Sequence, residues 1–184
     1  MKKDILVPVL SLLVICLVAS ALLGGVNEVT AQKIEDLAAE KIVAAQQELI
    51  PAESYEEADA DGSLYTLALD ADGNTVGYIF TTSANGYGGA VKLMVGLDLN
   101  GAVAGLTVLE LNETPGLGMK AKNANFLEQF IGVNGSVAYS KTATDAPNTV
   151  QAITSATITT KAVTAAVNKA LSLYDTIKEA NRNG

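Results

Sequence analysis

The sequence predicts an α+β fold: a single N-terminal transmembrane helix, then a domain of antiparallel β-hairpins with helices packed against them. Three observations predict it. Residues 5–26 carry no charged side chain. Two pairs of apolar runs flank turn-forming residues in the middle of the chain. An amphipathic stretch closes the sequence, and strand-like and helix-like segments do not alternate as a doubly wound parallel sheet requires.

The apolar run comes first. As a helix it is about 33 Å long at ~1.5 Å per residue, enough to cross a hydrocarbon core of ~30 Å. Lys2 and Lys3 precede it and Glu28 follows it. The positive-inside rule then places the N-terminus in the cytoplasm and the remaining chain across the membrane. The run exceeds the ~7–15 apolar residues of a cleaved signal, so an uncleaved anchor is expected. Cys16 follows Ile15 rather than a small residue, which suits an apolar filler better than a lipid attachment site.

This divides the chain into an anchor (1–28), a juxtamembrane helix and linker (29–53) and an extracytoplasmic domain (54–184). Thr30 is placed to cap a helix running to about Leu49, with Pro51 ending it. Its apolar face, Ile34, Leu37, Ile42, Ala45 and Leu49, suits either a stalk or a helix packed on the domain. Residues 54–63 are acidic and are expected to form a loop. The segment DADGSLYTLALD lacks the Glu that closes a calcium loop, so no metal site is expected.

Residues 64–69 and 76–82 predict one hairpin, and 90–111 a second that turns at Leu99-Asn100-Gly101. Between them, SANGYGGA (83–90) is expected as a glycine-rich loop. It lacks the Gly-Lys-Ser/Thr ending of a nucleotide loop, and no helix follows it. Thr114-Pro115-Gly116-Leu117 fits a type II turn, with Pro second and Gly third. Asn123 can cap a short helix to Phe130, and residues 132–141 suggest a strand. Residues 159–180 form the amphipathic helix, with Val163, Val167, Ala170, Leu171, Tyr174 and Ile177 on one face.

Composition excludes several chemistries. The net charge is −8, with no basic stripe to meet nucleic-acid phosphates. There is no His, and the one Cys lies in the apolar run. A Ser-His-Asp triad, His-ligated zinc or haem, and Cys-ligated iron–sulfur clusters are therefore excluded for this chain alone. Redox work would need an organic cofactor.

One run stands out. ITSATITT (153–160) holds five hydroxyl side chains in eight positions, just before the last helix. Thr159 or Thr160 can cap that helix, leaving Thr157 just ahead of it. A helix start favours an anion, and Lys161 is a candidate countercharge. From the residues alone, both an anion site and a plain strand end remain open.

Thr154-Ser155-Ala156-Thr157 resembles the Ser/Thr-Gly-Ala-Thr motif of covalent FMN-binding domains, and Glu113-Thr114-Pro115-Gly116-Leu117-Gly118 matches their ETPGLG turn. The chain as a whole resembles the G subunit of the Rnf electron-transport complex, and its domain the related C subunit of sodium-pumping NADH:quinone reductase. The resemblance implies FMN joined through its phosphate to the Thr157 hydroxyl by a flavin transferase, with residues 113–118 beside the ring. It implies membrane and peripheral partner subunits in a complex that couples ferredoxin:NAD electron transfer to Na⁺ or H⁺ movement. No catalytic residue and no metal are implied in this chain. Tyr87, in the glycine-rich loop, is a candidate aromatic neighbour of the flavin.

Two departures stand in the motif: Ser155 where the family usually has Gly, and Gln151 where it usually has Asp. Gly adopts positive φ cheaply and Ser does not, so the turn either avoids that conformation or carries strain. A stand-alone anchored flavoprotein reductase and the quinone-reductase type of subunit are the alternative readings.

Overall fold

The computed structural model describes residues 2–60 and 62–183. It divides into two compact units, residues 1–43 and 44–184. Helix α1 (Lys2–Leu49) supplies the first unit and begins the second. Within it, Leu6–Ala31 is long and apolar enough to cross a membrane. Thr30 is not the cap of a second helix, because α1 continues through it. The Thr30 hydroxyl donates to the Val26 carbonyl inside the helix, and no residue between them is a strong enough breaker to end it.

The second unit is built on a five-stranded antiparallel meander in sequential order. Its strands are β1 (Ser54–Ala60), β2 (Ser63–Leu69), β3 (Thr75–Asn85), β4 (Ala90–Leu97) and β5 (Val103–Leu111). Both expected hairpins form, but they are not separate. β3 runs to Asn85, which pairs with Ala90, so the glycine-rich loop shrinks to Gly86–Gly89 and joins the two hairpins into one sheet. The Gly86 N–H closes that loop on the Gly89 carbonyl at 2.8 Å.

β1 occupies residues expected to form a loop. It is an edge strand, and Ser54, Glu56, Glu57 and Asp59 are all exposed, so no buried face marked it in the sequence. Exposed acidic side chains also discourage another chain from pairing with that edge.

Beyond β5 come a 3₁₀ turn (Gly118–Lys122), the short helix α2 (Ala124–Leu127) and a second 3₁₀ turn (Glu128–Phe130). Asn123 stands at the start of α2, but its backbone rather than its side chain makes the cap. Its carbonyl accepts from the Phe126 N–H at 3.0 Å. The strand expected over 132–141 is reduced to β6 (Ala138–Ser140). It pairs in parallel with β7 (Thr149–Gln151), three residues too few to show periodicity.

Helix α3 (Thr157–Asn183) lies across one face of the sheet. Val163, Val167, Ala170, Leu171, Tyr174 and Ile177, the expected apolar face, are all buried, against Phe80, Val91, Leu93, Val95 and Leu97. The opposite face receives the end of α1: Ala45, Leu49 and Ile50 pack with Ala68, Ile79 and Met94. Gly77, Gly96 and Gly105 make room for them. A Cβ on Gly77 would stand 2.6 Å from Ile50 Cδ1, and one on Gly96 3.2 Å from Leu49 Cβ.

Candidate functional site

Two short turns meet at the start of α3. In the first, the Leu117 N–H returns to the Thr114 carbonyl at 3.2 Å, and Gly116 has φ +77°. This is the expected type II turn, whose third position demands positive φ. In the second, the Ala156 N–H returns to the Ile153 carbonyl at 3.0 Å, and here the third residue is Ser155 with φ +65°. Ser155 accepts the conformation that glycine adopts freely.

That turn delivers the chain directly into α3, which begins at Thr157 rather than at 159. The first helical bond runs from the Thr160 N–H to the Ala156 carbonyl at 3.0 Å. The N–H groups of Thr157, Ile158 and Thr159 therefore have no acceptor inside the helix. Thr159 and Thr160 are not caps but members of the first turn. The Thr160 hydroxyl donates to the Ala156 carbonyl at 3.1 Å and accepts from the Ile153 N–H at 3.0 Å, tying the turn to the helix. Both threonines are buried, whereas Thr157 is half-buried.

Between the two turns lies a cavity of about 510 Å³. Tyr87, Glu113, Thr114, Leu117, Gly118, Ser155, Ala156 and Thr157 line it, joined by Ile158 and Thr159. Its volume lies in the range of small-molecule and cofactor sites. One end presents the Thr157 hydroxyl and the open N–H groups of α3. Around it stand three large apolar or aromatic side chains still in solvent: Tyr87 (73% exposed), Ile158 (50%) and Leu117 (41%).

Three residues singled out from the sequence do not line the cavity. Gly116 is the corner of its turn, and a Cβ there meets nothing within 4 Å, so φ rather than crowding requires glycine. Thr154 faces a neighbouring shallow pocket with Lys120, Gln129 and Gln151. Lys161 is exposed, with its ammonium 5.9 Å from the centre of the Tyr139 ring. Sequence reasoning missed Ile158 and the cavity-lining role of Thr159. Placing the helix start at Thr157 would have put both beside it in the first turn.

Residues 86–172 match the FMN-binding domain family. The chain is 33% identical to the G subunit of the Na⁺-translocating ferredoxin:NAD⁺ oxidoreductase complex of Acetobacterium woodii, over 92% of this chain and 91% of that one. It is 32% identical to the G subunit of the ion-translocating oxidoreductase complex of Methanosarcina acetivorans, over 92% and 94%. The chain belongs to the G-subunit family of ion-translocating oxidoreductase complexes. Among solved structures it resembles the C subunit of the Na⁺-translocating NADH-quinone reductase of Parabacteroides distasonis. That likeness has a TM-score of 0.52 at 26% identity and covers 61% of this chain and 62% of the other.

The cavity residues of this G-type chain suit the FMN that such a domain binds. A phosphate suits the open helix start, where N–H groups and the helix dipole favour negative charge. A flat aromatic ring suits Leu117, Tyr87 and Ile158. Thr157, at that helix start, adds a hydroxyl-bearing side chain to the cavity wall.

Proposed function

We propose that this chain is the flavin-carrying component of a membrane-bound, Rnf-type ion-translocating ferredoxin:NAD⁺ oxidoreductase, and that FMN is esterified through its phosphate to Thr157. The observation that carries this reading is the meeting of Glu113, Thr114, Leu117 and Gly118 with Ser155, Ala156 and Thr157 on one cavity, with Thr157 at the start of α3. Bound FMN supplies a ring that accepts and releases electrons singly or in pairs.

The chain's own residues bind and orient the group. The Thr157 oxygen anchors the phosphate, and the N–H groups of the first turn of α3 offset its charge. Leu117, Tyr87 and Ile158 offer the ring apolar surface. The type II turn at 114–117 and the Ser155 turn hold the two walls in place. Attachment requires a flavin transferase. In this reading, ion movement and nicotinamide binding are the work of partner subunits of the complex. The span at Leu6–Ala31 anchors the protein, and Lys2 and Lys3 keep the N-terminus cytoplasmic.

The test is the colour of the full chain co-produced with a flavin transferase. The wild-type protein stays yellow after denaturation and desalting, and Thr157→Ala is folded but colourless. Covalent flavin surviving in Thr157→Ala contradicts the assignment. On the topology, protease added to wall-stripped intact cells digests the domain, and complete protection until lysis reverses the orientation.

A further inference from the structure

Glu113 occupies a position its motif alone does not explain. Its carboxylate does not project freely into the cavity it lines. Oε1 accepts the backbone N–H of Tyr87 at 2.7 Å, binding the Gly86–Gly89 loop to the 113–118 turn across 26 positions of sequence. The surrounding residues leave the carboxylate no competitor for space. A Cβ on Gly86 would lie 2.3 Å from Oε1, and one on Gly118 2.6 Å from Oε2 and 2.8 Å from Thr159 Oγ1. A Cβ on Gly88 would lie 2.1 Å from the neighbouring Asn112 carbonyl oxygen. Gly86 and Gly118 thus let the loop and the turn close around one carboxylate, and Gly88 lets the loop approach the Asn112 backbone. Glu113 is also the one Asp, Glu, Lys or Arg among the residues lining the cavity.

We propose that Glu113 is a positioning residue with two separable effects on the flavin site: it latches the Tyr87 loop beside the cavity, and its fixed negative charge holds the reduction potential of the bound flavin low. The latch follows from the hydrogen bond. A charge-assisted bond to a backbone N–H is among the stronger ones in a protein, and Tyr87 carries a ring that otherwise stands largely in solvent. The electrostatic effect follows from Coulomb's law in a partly water-excluded site, where a resident anion disfavours adding electrons to a neighbouring ring. This inference rests on the flavin occupying the cavity, but the latch itself does not.

Two substitutions separate the effects. Glu113→Gln keeps an oxygen that can accept the Tyr87 N–H and nearly the same shape, but removes the charge. Glu113→Ala removes both. The latch is read without flavin, in the full-length Thr157→Ala background, by hydrogen exchange at the Tyr87 amide. Exchange there should be about tenfold faster with Glu113→Ala and close to the parent with Glu113→Gln. Equal exchange in all three proteins would overturn the latch. The charge effect is read in the flavin-loaded full-length protein by redox titration. Glu113→Gln should move the midpoint to a more positive potential with the flavin still attached. An unchanged midpoint with attached flavin would overturn the electrostatic role. A wild-type chain that acquires no flavin counts against the proposed function instead, and leaves the exchange result to decide the latch.

Discussion

Ser155 shows how much one residue's backbone decides at this site. With φ +65° it stands where a type II-like turn asks for glycine, and it is exposed, so no packing compensates the side chain's cost there. A non-glycine residue in this region costs about 1–2 kcal/mol, and glycine returns about 0.4–1 kcal/mol of that through its freer unfolded chain. Ser155→Gly is therefore expected to stabilise the domain by about 0.5–1 kcal/mol, seen as a higher midpoint in urea at unchanged slope. A lower midpoint would mean that the Ser155 side chain holds the turn in some other way. The sequence showed the departure at 155 and posed two outcomes, but only φ could choose between them. The same residue explains the misplaced helix start. Hydroxyl-rich residues before an apolar period suggest a cap at 159 or 160, whereas the left-handed turn at Ser155 lets α3 begin at Thr157.

At the scale of elements, what was legible in the sequence is what buries one face. α3 was readable because its apolar residues recur at helical spacing and all of them meet the sheet. The 114–117 turn was readable because Pro and Gly each fit one position of it. β1 was not, since its acidic side chains face water along a sheet edge, and β6 and β7 are too short for any period. The docking of residues 45–50 was half legible: Ala45 and Leu49 read as apolar helix positions, but nothing named their receiving surface. That surface is a strip of three glycines on β3, β4 and β5. Gly96→Val should destabilise the domain by about 1–3 kcal/mol through overpacking, because its Cβ alone would come within 3.1 Å of Ile50 Cγ1. Urea denaturation checks this. No loss of stability would show that Leu49 and Ile50 yield without cost.

At the scale of the whole molecule, the structure has two compact units, and the second begins at Ala44. A chain truncated to residues 44–184 retains Ala45, Leu49 and Ile50 over Ile79 and Met94. Truncation to 54–184 removes that cover, at about 2–5 kcal/mol for each large side chain lost from a buried site. The longer fragment should unfold cooperatively on heating, and the shorter one should melt lower or aggregate. Equal melting temperatures would show that the end of α1 is dispensable.

The proposed flavin site at the start of α3 stands or falls on one particular oxygen atom. Tryptic cleavage after Lys141 and Lys161 leaves the peptide 142–161, in which Thr142, Thr144, Thr149, Thr154, Ser155, Thr159 and Thr160 compete with Thr157. Fragmentation mass spectrometry of that peptide, from the full chain co-produced with a flavin transferase, tests the assignment most directly. The predicted result is the FMN mass on Thr157, with Thr159 and Thr160 bare because both are buried in the first turn of α3. FMN on any other residue, or a bare peptide from a fully loaded preparation, would contradict it.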